Sequence, residues 1–113
     1  MSSYPLNDKD INFGKFFYLK KKFKNVGYSG HSPNIYDALW AIANNANVVE
    51  KHFTINNSLK GRDNKFSILP KDFRKISLFR NFSSSATQKM TLDLQKCEID
   101  VYKNYRGRWR IND

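Results

Sequence analysis

Two short apolar segments with a helical segment between them constrain the fold of this chain most strongly. Residues 25–29 and 47–53 have the length of short strands, and residues 34–46 carry apolar side chains at helical spacing. The helix follows Pro33, and its buried stripe is expected to hold Ile35, Leu39, Ile42 and Ala46. Strands that alternate with helices are typical of parallel βαβ units, so this pattern predicts an α/β fold.

The N-terminal residues extend this alternation. Residues 1–5 have the pattern of the end of a strand that Pro5 breaks. A helix capped by Asp8 or Asp10 is then expected to run to about residue 23, because apolar residues recur there at helical spacing. Its inward face is predicted to carry Phe16, Leu19 and Phe23.

Two more helices are predicted after the second strand. The first covers residues 70–82, with Phe73, Ile76 and Phe79 inward. The second covers residues 87–102 and is expected to bury Met90, Leu94, Cys97 and Val101, before an irregular tail. We therefore expect residues 1–83 to form one α/β unit, and residues 84–113 to form a C-terminal helix with a tail.

Size and composition limit the classes of protein to which the chain can belong. Its 113 residues suffice for one small domain, whereas a closed (β/α)₈ barrel takes about 250 residues. The absence of a long apolar run, of a signal-peptide core and of a second cysteine indicates a cytoplasmic protein without a membrane span. The net charge of +10 invites a nucleic-acid partner, but most of the cations are scattered, so such a partner is not expected.

Each of the two central strands ends in a histidine, His31 or His52, and the chain has no other. In parallel α/β folds the carboxyl ends of the strands meet at one edge, where the chemistry collects. Neutral imidazole binds Mn²⁺, Zn²⁺ or Fe²⁺, and two imidazoles leave coordination positions open for a substrate. The spacing predicts a metal site suited to Lewis-acid chemistry on a carbonyl group. The alternative is a pair of unrelated histidines on separate strands.

Five other polar residues are candidates for the same site. Alternation along a strand places Ser29 on the face of His31, and Glu50 on the face of His52. Because an inward carboxylate needs a partner, Glu50 either is ion-paired in the core or orients an imidazole. Asp63 either holds sugar hydroxyls or is an ordinary turn residue. Tyr4 and Ser2 share a face at the end of the first strand, where Tyr4 could also be a rim aromatic.

Four motifs taken together resemble the N-acetylneuraminate (sialic acid) synthase family. In chain order they are SSYP, VGYSGHS, VVEKHFT and GRDNKFSILPKDF. Members of that family typically carry a tyrosine-proline strand end, a GYS-D/G-H segment, an E-K/R-H-F/I-T segment and a G-x-D-x-x-x-S loop. His52 lies 21 residues after His31, and Asp63 lies 11 residues after His52, as the family pattern requires. The match covers residues 2–82.

The resemblance implies a (β/α)₈ barrel, of which this chain is a part: the end of strand six, then strands seven and eight with their helices. It also implies condensation of phosphoenolpyruvate with an N-acetylated amino sugar, such as N-acetylmannosamine, to a nonulosonic acid with release of phosphate. By this resemblance His31 and His52 would bind a divalent metal, Mn²⁺ or Mg²⁺. Ser29 would contact the phosphate of phosphoenolpyruvate. The open-chain sugar would be held by Tyr4 and Asp63, and Ser2 stands at a further ligand-contacting position.

The chain departs from the family pattern in several places. Gly30 stands where many members carry aspartate, and Arg62 and Asn64 replace the commoner proline and histidine beside Asp63. The earlier strands of the barrel have no counterpart in the sequence. We therefore expect a fragment that is inactive alone and needs an N-terminal barrel half as its partner, with homodimers as a further expectation for full-length members. The alternative is a non-catalytic basic βα module that binds anions or RNA through its lysines.

Overall fold

The computed structural model describes residues 4–87 and 91–105, which form an α/β structure with four helices and a two-stranded sheet. The helices are α1 (Phe13–Lys22), α2 (Tyr36–Ala43), α3 (Pro70–Ala86) and α4 (Ile99–Tyr105), and the strands are β1 (Tyr28–Gly30) and β2 (Val49–Lys51). Short 3₁₀ turns lie at Asp8–Asp10, Asn64–Phe66 and Lys96–Glu98. The predicted α/β class is confirmed.

The sheet consists of β1 and β2, which pair in parallel and are connected by α2. Tyr28 lies opposite Val49, and Gly30 lies opposite Lys51 at the end of the ladder. Both strands are shorter than the sequence predicts. Because the strands are parallel, the residues that follow Gly30 and Lys51 come out at the same edge of the sheet.

The core lies between the sheet, α2 and α3. Its fully buried members are Ala38, Ile68 and Ile76, and the predicted α2 residues Ile35, Leu39 and Ile42 pack against them. Small residues on α2 let the helix approach the sheet closely. At the end of α2, the Nζ of Lys20 donates hydrogen bonds to the carbonyl oxygens of Asn44, at 2.7 Å, and Asn45, at 3.0 Å. This cation satisfies carbonyl groups that a helix end leaves without partners.

Helix α1 begins at Phe13, later than predicted, because Asp8–Asp10 forms a separate 3₁₀ turn. Of the three residues predicted to face inward, Phe16 is buried, whereas Leu19 and Phe23 are exposed. The helix instead contacts Trp40 of α2, whose ring stacks on Phe13 at 3.8 Å between centroids and meets Phe17 at 5.1 Å. The prediction for Leu19 and Phe23 was wrong because aromatic packing on Trp40 turns a different face of α1 inward.

Helix α3 starts at Pro70, as predicted, and extends past the predicted end to Ala86. Proline suits the first turn because its missing N–H group would have no helical partner there. Ile76 is buried and Phe79 is half-buried, but Phe73 is exposed and contacts Phe53 at the surface, with ring centroids 5.9 Å apart. The prediction that Phe73 faces inward was therefore wrong.

The last helix, predicted over residues 87–102, is confirmed only in its C-terminal part, where Lys96–Glu98 and α4 lie. Helix α3 ends at Ala86, with Thr87 as its cap, and within residues 91–105 helical structure begins at Lys96–Glu98 and continues in α4. The start is set by the backbone N–H of Gln95, which donates to Oε2 of Glu98 at 2.7 Å in a capping box. The side chains of residues 91–105 are exposed, among them Leu94, Cys97 and Val101, so the predicted burial of these three was wrong. Met90 and the predicted tail lie outside the described residues.

Within residues 4–87 and 91–105, no helix is both long enough and apolar enough to cross a bilayer.

Candidate functional site

The two histidines meet at the carboxyl edge of the sheet. His31 and His52 each lie one residue beyond the last pair of the strand ladder, Gly30 and Lys51. Their ring centroids are 5.3 Å apart, and the ring planes are inclined at 56°. His31 is 6% exposed, and His52 is half-buried. The structure thus brings together the two side chains for which the sequence predicts a shared role, and that role stays a prediction.

Two further predicted residues lie beside the imidazoles. The ring of Tyr4 meets His31 at 4.3 Å and His52 at 5.6 Å between centroids, both in edge-on geometry. The backbone N–H of Leu6 donates to the carbonyl of His31 at 3.1 Å, which ties the segment carrying Tyr4 to the end of β1. On the other side, Oδ2 of Asp63 lies 3.7 Å from Nδ1 of His52. Four of the seven predicted site residues therefore surround one point.

The loop that carries Asp63 is held by its own side chains. Ser67, the last residue of the G-x-D-x-x-x-S motif, is buried and donates from Oγ to the carbonyl of Asp63 at 2.7 Å. The Nδ2 of Asn57 donates to the carbonyls of Asn64, at 2.7 Å, and Ser67, at 2.9 Å. The backbone N–H of Ile68 then donates to the carbonyl of His52 at 2.8 Å. These bonds place Asp63 against the end of β2.

A cavity of about 250 Å³ opens at this point, lined by Tyr4, His52, Arg62 and Asp63. Its polar groups are of different kinds: Asp63 offers carboxylate acceptors, Arg62 offers donors in a planar fork, and His52 offers a ring nitrogen. A few convergent polar groups beside an aromatic ring are typical of small-molecule sites. Arg62 was noted in the sequence only as a departure from the family pattern.

Ser29 and Glu50 lie opposite each other on the ladder, on an exposed face. The Oγ of Ser29 donates to Oε1 of Glu50 at 3.1 Å. Glu50 is exposed, so the alternative that made it an ion-paired core residue was wrong. Its role in orienting an imidazole stays a prediction. Ser2 lies outside the described residues.

The sequence reading missed a buried ion pair behind the histidines. The Nζ of Lys51 lies 2.9 Å from Oδ1 of Asp37, and the side chains are 4% and 0% exposed. The hydroxyl of Tyr28 donates to Oδ2 of Asp37 at 3.3 Å. Burial, and secondly the neighbouring Asp37 carboxylate, raise the pKa of the Tyr28 hydroxyl. The signal was present in the sequence as one acidic residue in the apolar helix YDALWAIA, and one lysine in the apolar run VVEKHF.

The donor set suits a divalent cation only in part. Two imidazoles at 5.3 Å between centroids can share one ion, and the carboxylate of Asp63 is adjacent to one of them. Over residues 4–87 and 91–105, no group of three or more His, Cys, Asp or Glu side chains is arranged to hold a metal ion. The two histidines would therefore fit as half of a site whose other donors would come from water, a substrate or groups outside this set.

Comparison with known proteins places these motifs in a wider context. The chain is 35% identical over 89 residues to an N-acetylneuraminate-9-phosphate synthase of Drosophila melanogaster, an alignment that covers 76% of this chain and 24% of the relative. It is 37% identical over 76 residues to an N,N'-diacetyllegionaminic acid synthase of Campylobacter jejuni, covering 66% of this chain and 23% of the relative. The chain thus spans about a quarter of the length of these curated relatives.

Solved structures agree with the sequence relatives. The crystal structure of an N-acetylneuraminic acid (sialic acid) synthetase from Leptospira borgpetersenii superposes with a TM-score of 0.75 at 31% identity, covering 97% of this chain and 39% of that one. A spore coat polysaccharide biosynthesis protein of Bacillus subtilis gives a TM-score of 0.69 at 25% identity, covering 85% of this chain and 28% of that one.

The family comparison covers most of the chain. The model of the NeuB family matches residues 1–91, which include both histidine strands, the Asp63 loop and α3. That span takes in all four motifs on which the sequence resemblance rests, so the recognition of the family is confirmed. This chain belongs to the NeuB family.

Proposed function

We propose that this chain supplies the metal-binding side of the active site of a synthase that condenses phosphoenolpyruvate with an N-acetylated amino sugar and releases phosphate. The observation that carries the proposal is the meeting of His31 and His52 at the carboxyl edge of two parallel strands, 5.3 Å apart between ring centroids. Tyr4 and Asp63 flank this pair. Relatives of the chain are named as synthases of neuraminic, legionaminic and pseudaminic acids, which supports a nonulosonic acid as the product.

We further propose that β1 and β2 are strands seven and eight of a (β/α)₈ barrel. Residues 4–6 lie beside the end of β1, where the N–H of Leu6 donates to the carbonyl of His31, which supports assigning them to the end of strand six. The functional side chains then lie at the carboxyl-terminal mouth of the barrel, the end that carries the active site in such folds. The chain spans only part of the relatives that it matches, and under this proposal an N-terminal barrel segment would supply the other strands.

The proposed roles follow from the chemistry of each side chain. The Ser29 hydroxyl donates to the phosphate of phosphoenolpyruvate, exchanging its present acceptor Glu50 for a phosphate oxygen. The Asp63 carboxylate accepts hydrogen bonds from sugar hydroxyls, and its position is held by Ser67. Tyr4 presents its ring edge-on to both imidazoles and would present its hydroxyl to the ligand. Together these groups orient the two substrates toward each other.

His31 and His52 would hold Mn²⁺ or Mg²⁺ through ring nitrogens. A divalent cation at that place supplies Lewis-acid polarisation of the carbonyl oxygen of the sugar. The protein's own contribution is to keep both imidazoles at one edge of the sheet and to limit the access of water through the rings of Tyr4 and Phe66. Phe66 lies 5.3 Å from His52 between centroids.

Titration of the purified chain with Mn²⁺ tests the metal assignment, with the ion followed by electron paramagnetic resonance. We expect saturable binding that the double variant His31→Ala, His52→Ala abolishes, because no other imidazole exists in the sequence. The matched control is Asp72→Ala, which removes a partly exposed carboxylate on α3 and should leave binding unchanged. Equal Mn²⁺ binding by the double variant would refute the assignment.

A second measurement tests the activity. Phosphate release from phosphoenolpyruvate in the presence of N-acetylmannosamine is expected only after the chain is combined with an N-terminal barrel segment of a relative. The chain alone should show no release, because it carries two of the eight strands that we propose. A monomeric 113-residue preparation with full activity would contradict the partner requirement, and salt-sensitive RNA binding without metal binding would favour the basic-module alternative.

A further inference from the structure

We infer that Lys51 and Asp37 form a positioning unit that holds His31 and His52 at their mutual distance. The inference deepens the proposed function, because it concerns the same pair of histidines. Lys51 is the last residue of β2, immediately before His52, and Asp37 lies in the first turn of α2. The ammonium group contacts both carboxylate oxygens, at 2.9 and 3.1 Å, and both side chains are almost fully buried.

The ammonium group of Lys51 also crosses from one histidine strand to the other. It donates to the backbone carbonyl of Ser32 at 2.7 Å and to the Ser32 hydroxyl at 3.2 Å. Ser32 follows His31 directly, whereas Lys51 precedes His52 directly. One charged group therefore joins the residue after the first imidazole to the residue before the second.

This link acts where the strand ladder no longer does. The backbone carbonyl of each histidine bonds to an outer neighbour, His31 to Leu6 and His52 to Ile68, and these bonds do not connect the two histidines. The ladder itself ends one residue earlier. The hydrogen bonds of Lys51 provide a polar connection between the two strand ends, and they are directional and charge-assisted.

The energetics of a buried ion pair favour a geometric role over a stabilising one. Removing two charges from water is costly, their mutual attraction returns roughly that cost, and apolar replacement of both partners is often neutral for stability. We infer that the role of the Lys51–Asp37 pair is to fix one geometry of the two strand ends. The carboxylate of Asp37 completes that arrangement by accepting from the backbone N–H of Ala38, at 2.8 Å, and from Tyr28.

Gly30 makes room for the unit. A Cβ atom at residue 30 would lie 2.4 Å from Oδ2 of Asp37 and 2.9 Å from Cδ of Lys51. The Asp37 carboxylate thus occupies the space into which a side chain on β1 would project. An aspartate at residue 30 could place its carboxylate beside the Lys51 ammonium group only if Asp37 were replaced by a smaller residue, such as alanine.

The test compares stability with histidine geometry in the full chain. The variants are Lys51→Met, the apolar double variant Lys51→Met with Asp37→Leu, and the exchange variant Gly30→Asp with Asp37→Ala. The matched control is Lys75→Met, which removes the lysine of the exposed Asp72–Lys75 pair on α3. Three readouts are recorded for each protein: the thermal midpoint by circular dichroism, the Mn²⁺ dissociation constant, and the nuclear Overhauser effect between the two imidazole rings.

We expect the apolar double variant to keep a thermal midpoint near that of the wild type, yet to bind Mn²⁺ about 10- to 100-fold more weakly, the range found when groups that orient metal ligands are removed. Its inter-ring Overhauser effect should weaken, and the exchange variant should recover both signals in part. Lys75→Met should change neither signal. The inference would be overturned if the apolar double variant, Lys51→Met with Asp37→Leu, bound Mn²⁺ with wild-type affinity and kept the inter-ring Overhauser effect.

The two proposals fail in different ways. If the wild-type chain binds no Mn²⁺, the metal assignment fails, while the inter-ring signal still decides whether Lys51 positions the histidines. If the wild type and the Lys51→Met, Asp37→Leu double variant bind Mn²⁺ equally well, the positioning role fails and the metal assignment stands.

Discussion

At the scale of single residues, Tyr28 shows how tertiary contacts change the chemistry of a side chain. Its hydroxyl is half-buried and donates to Asp37, and burial is the larger of the two causes that raise its pKa. A tyrosine whose folded-state pKa is raised ionises more easily in the unfolded chain. Its contribution to stability is therefore complete below the ordinary pKa of about 10 and is lost as the pH rises above that value.

Tyr28→Phe tests this linkage. Near neutral pH the variant should be less stable by about 1 kcal/mol, because a hydrogen bond to a buried carboxylate is lost. Above pH 10 the difference in unfolding free energy between the wild type and the variant should narrow, since only the wild type must keep Tyr28 protonated to stay folded. Urea denaturation at a series of pH values measures both effects. Tyr36→Phe, at an exposed position, is the control, and the same narrowing in that variant would contradict the assignment.

At the scale of elements, the structure depends on the packing of α3 against α2 and the sheet. Ile76 is the buried residue of α3, and it joins Ala38 and Ile68 in the core. Leu78 lies on the same helix, two residues further on, and is exposed. The two positions therefore allow the same kind of truncation to be compared inside and outside the core.

Ile76→Ala should lower the unfolding free energy by roughly 2–4 kcal/mol, because it removes buried methyl groups and leaves a cavity. Leu78→Ala should change it by no more than about 0.5 kcal/mol. Denaturation curves monitored by Trp40 fluorescence give both values, since Trp40 is on the adjacent helix α2. Equal losses for the two variants would show that α3 does not pack as described.

At the scale of the whole molecule, the chain leaves much apolar surface uncovered. Its Cα radius of gyration is 19.9 Å, whereas about 13 Å is typical of a compact domain of 100 residues. Large apolar side chains are exposed on several elements, including Phe23 after α1, Phe53 after β2, and Phe73 and Phe82 on α3. Exposed apolar patches of this kind usually mark surfaces that another protein covers.

We expect the isolated chain to self-associate with rising concentration, which sedimentation velocity would detect as an increase in the average sedimentation coefficient. Replacing Phe73 and Phe82 by lysine should reduce this association, because it removes apolar surface from α3. The control is Asn81→Lys, which adds a charge to the same helix without removing apolar surface. A wild-type chain that stays monomeric over the whole concentration range would count against the uncovered-surface account.

The sequence alone determined the parts of the fold that depend on local pattern. The spacing of Ile35, Leu39 and Ile42 predicts α2, and the apolar runs on either side predict two parallel strands. Because parallel strands end at one edge, the juxtaposition of His31 and His52 could also be inferred from their places in the sequence. The four motifs were sufficient to identify the family, which the match over residues 1–91 confirmed.

Which polar and aromatic residues act together depends on contacts between elements that are distant in the sequence. Lys51 and Asp37 lie 14 positions apart and on different elements, so no local pattern pairs them. The inward face of α1 depends on contacts with Trp40, and the side chains of residues 91–105 are exposed although their apolar residues recur at helical spacing. Periodicity reports which face of an element is apolar, whereas the partner of that face is set by contacts between distant parts of the chain.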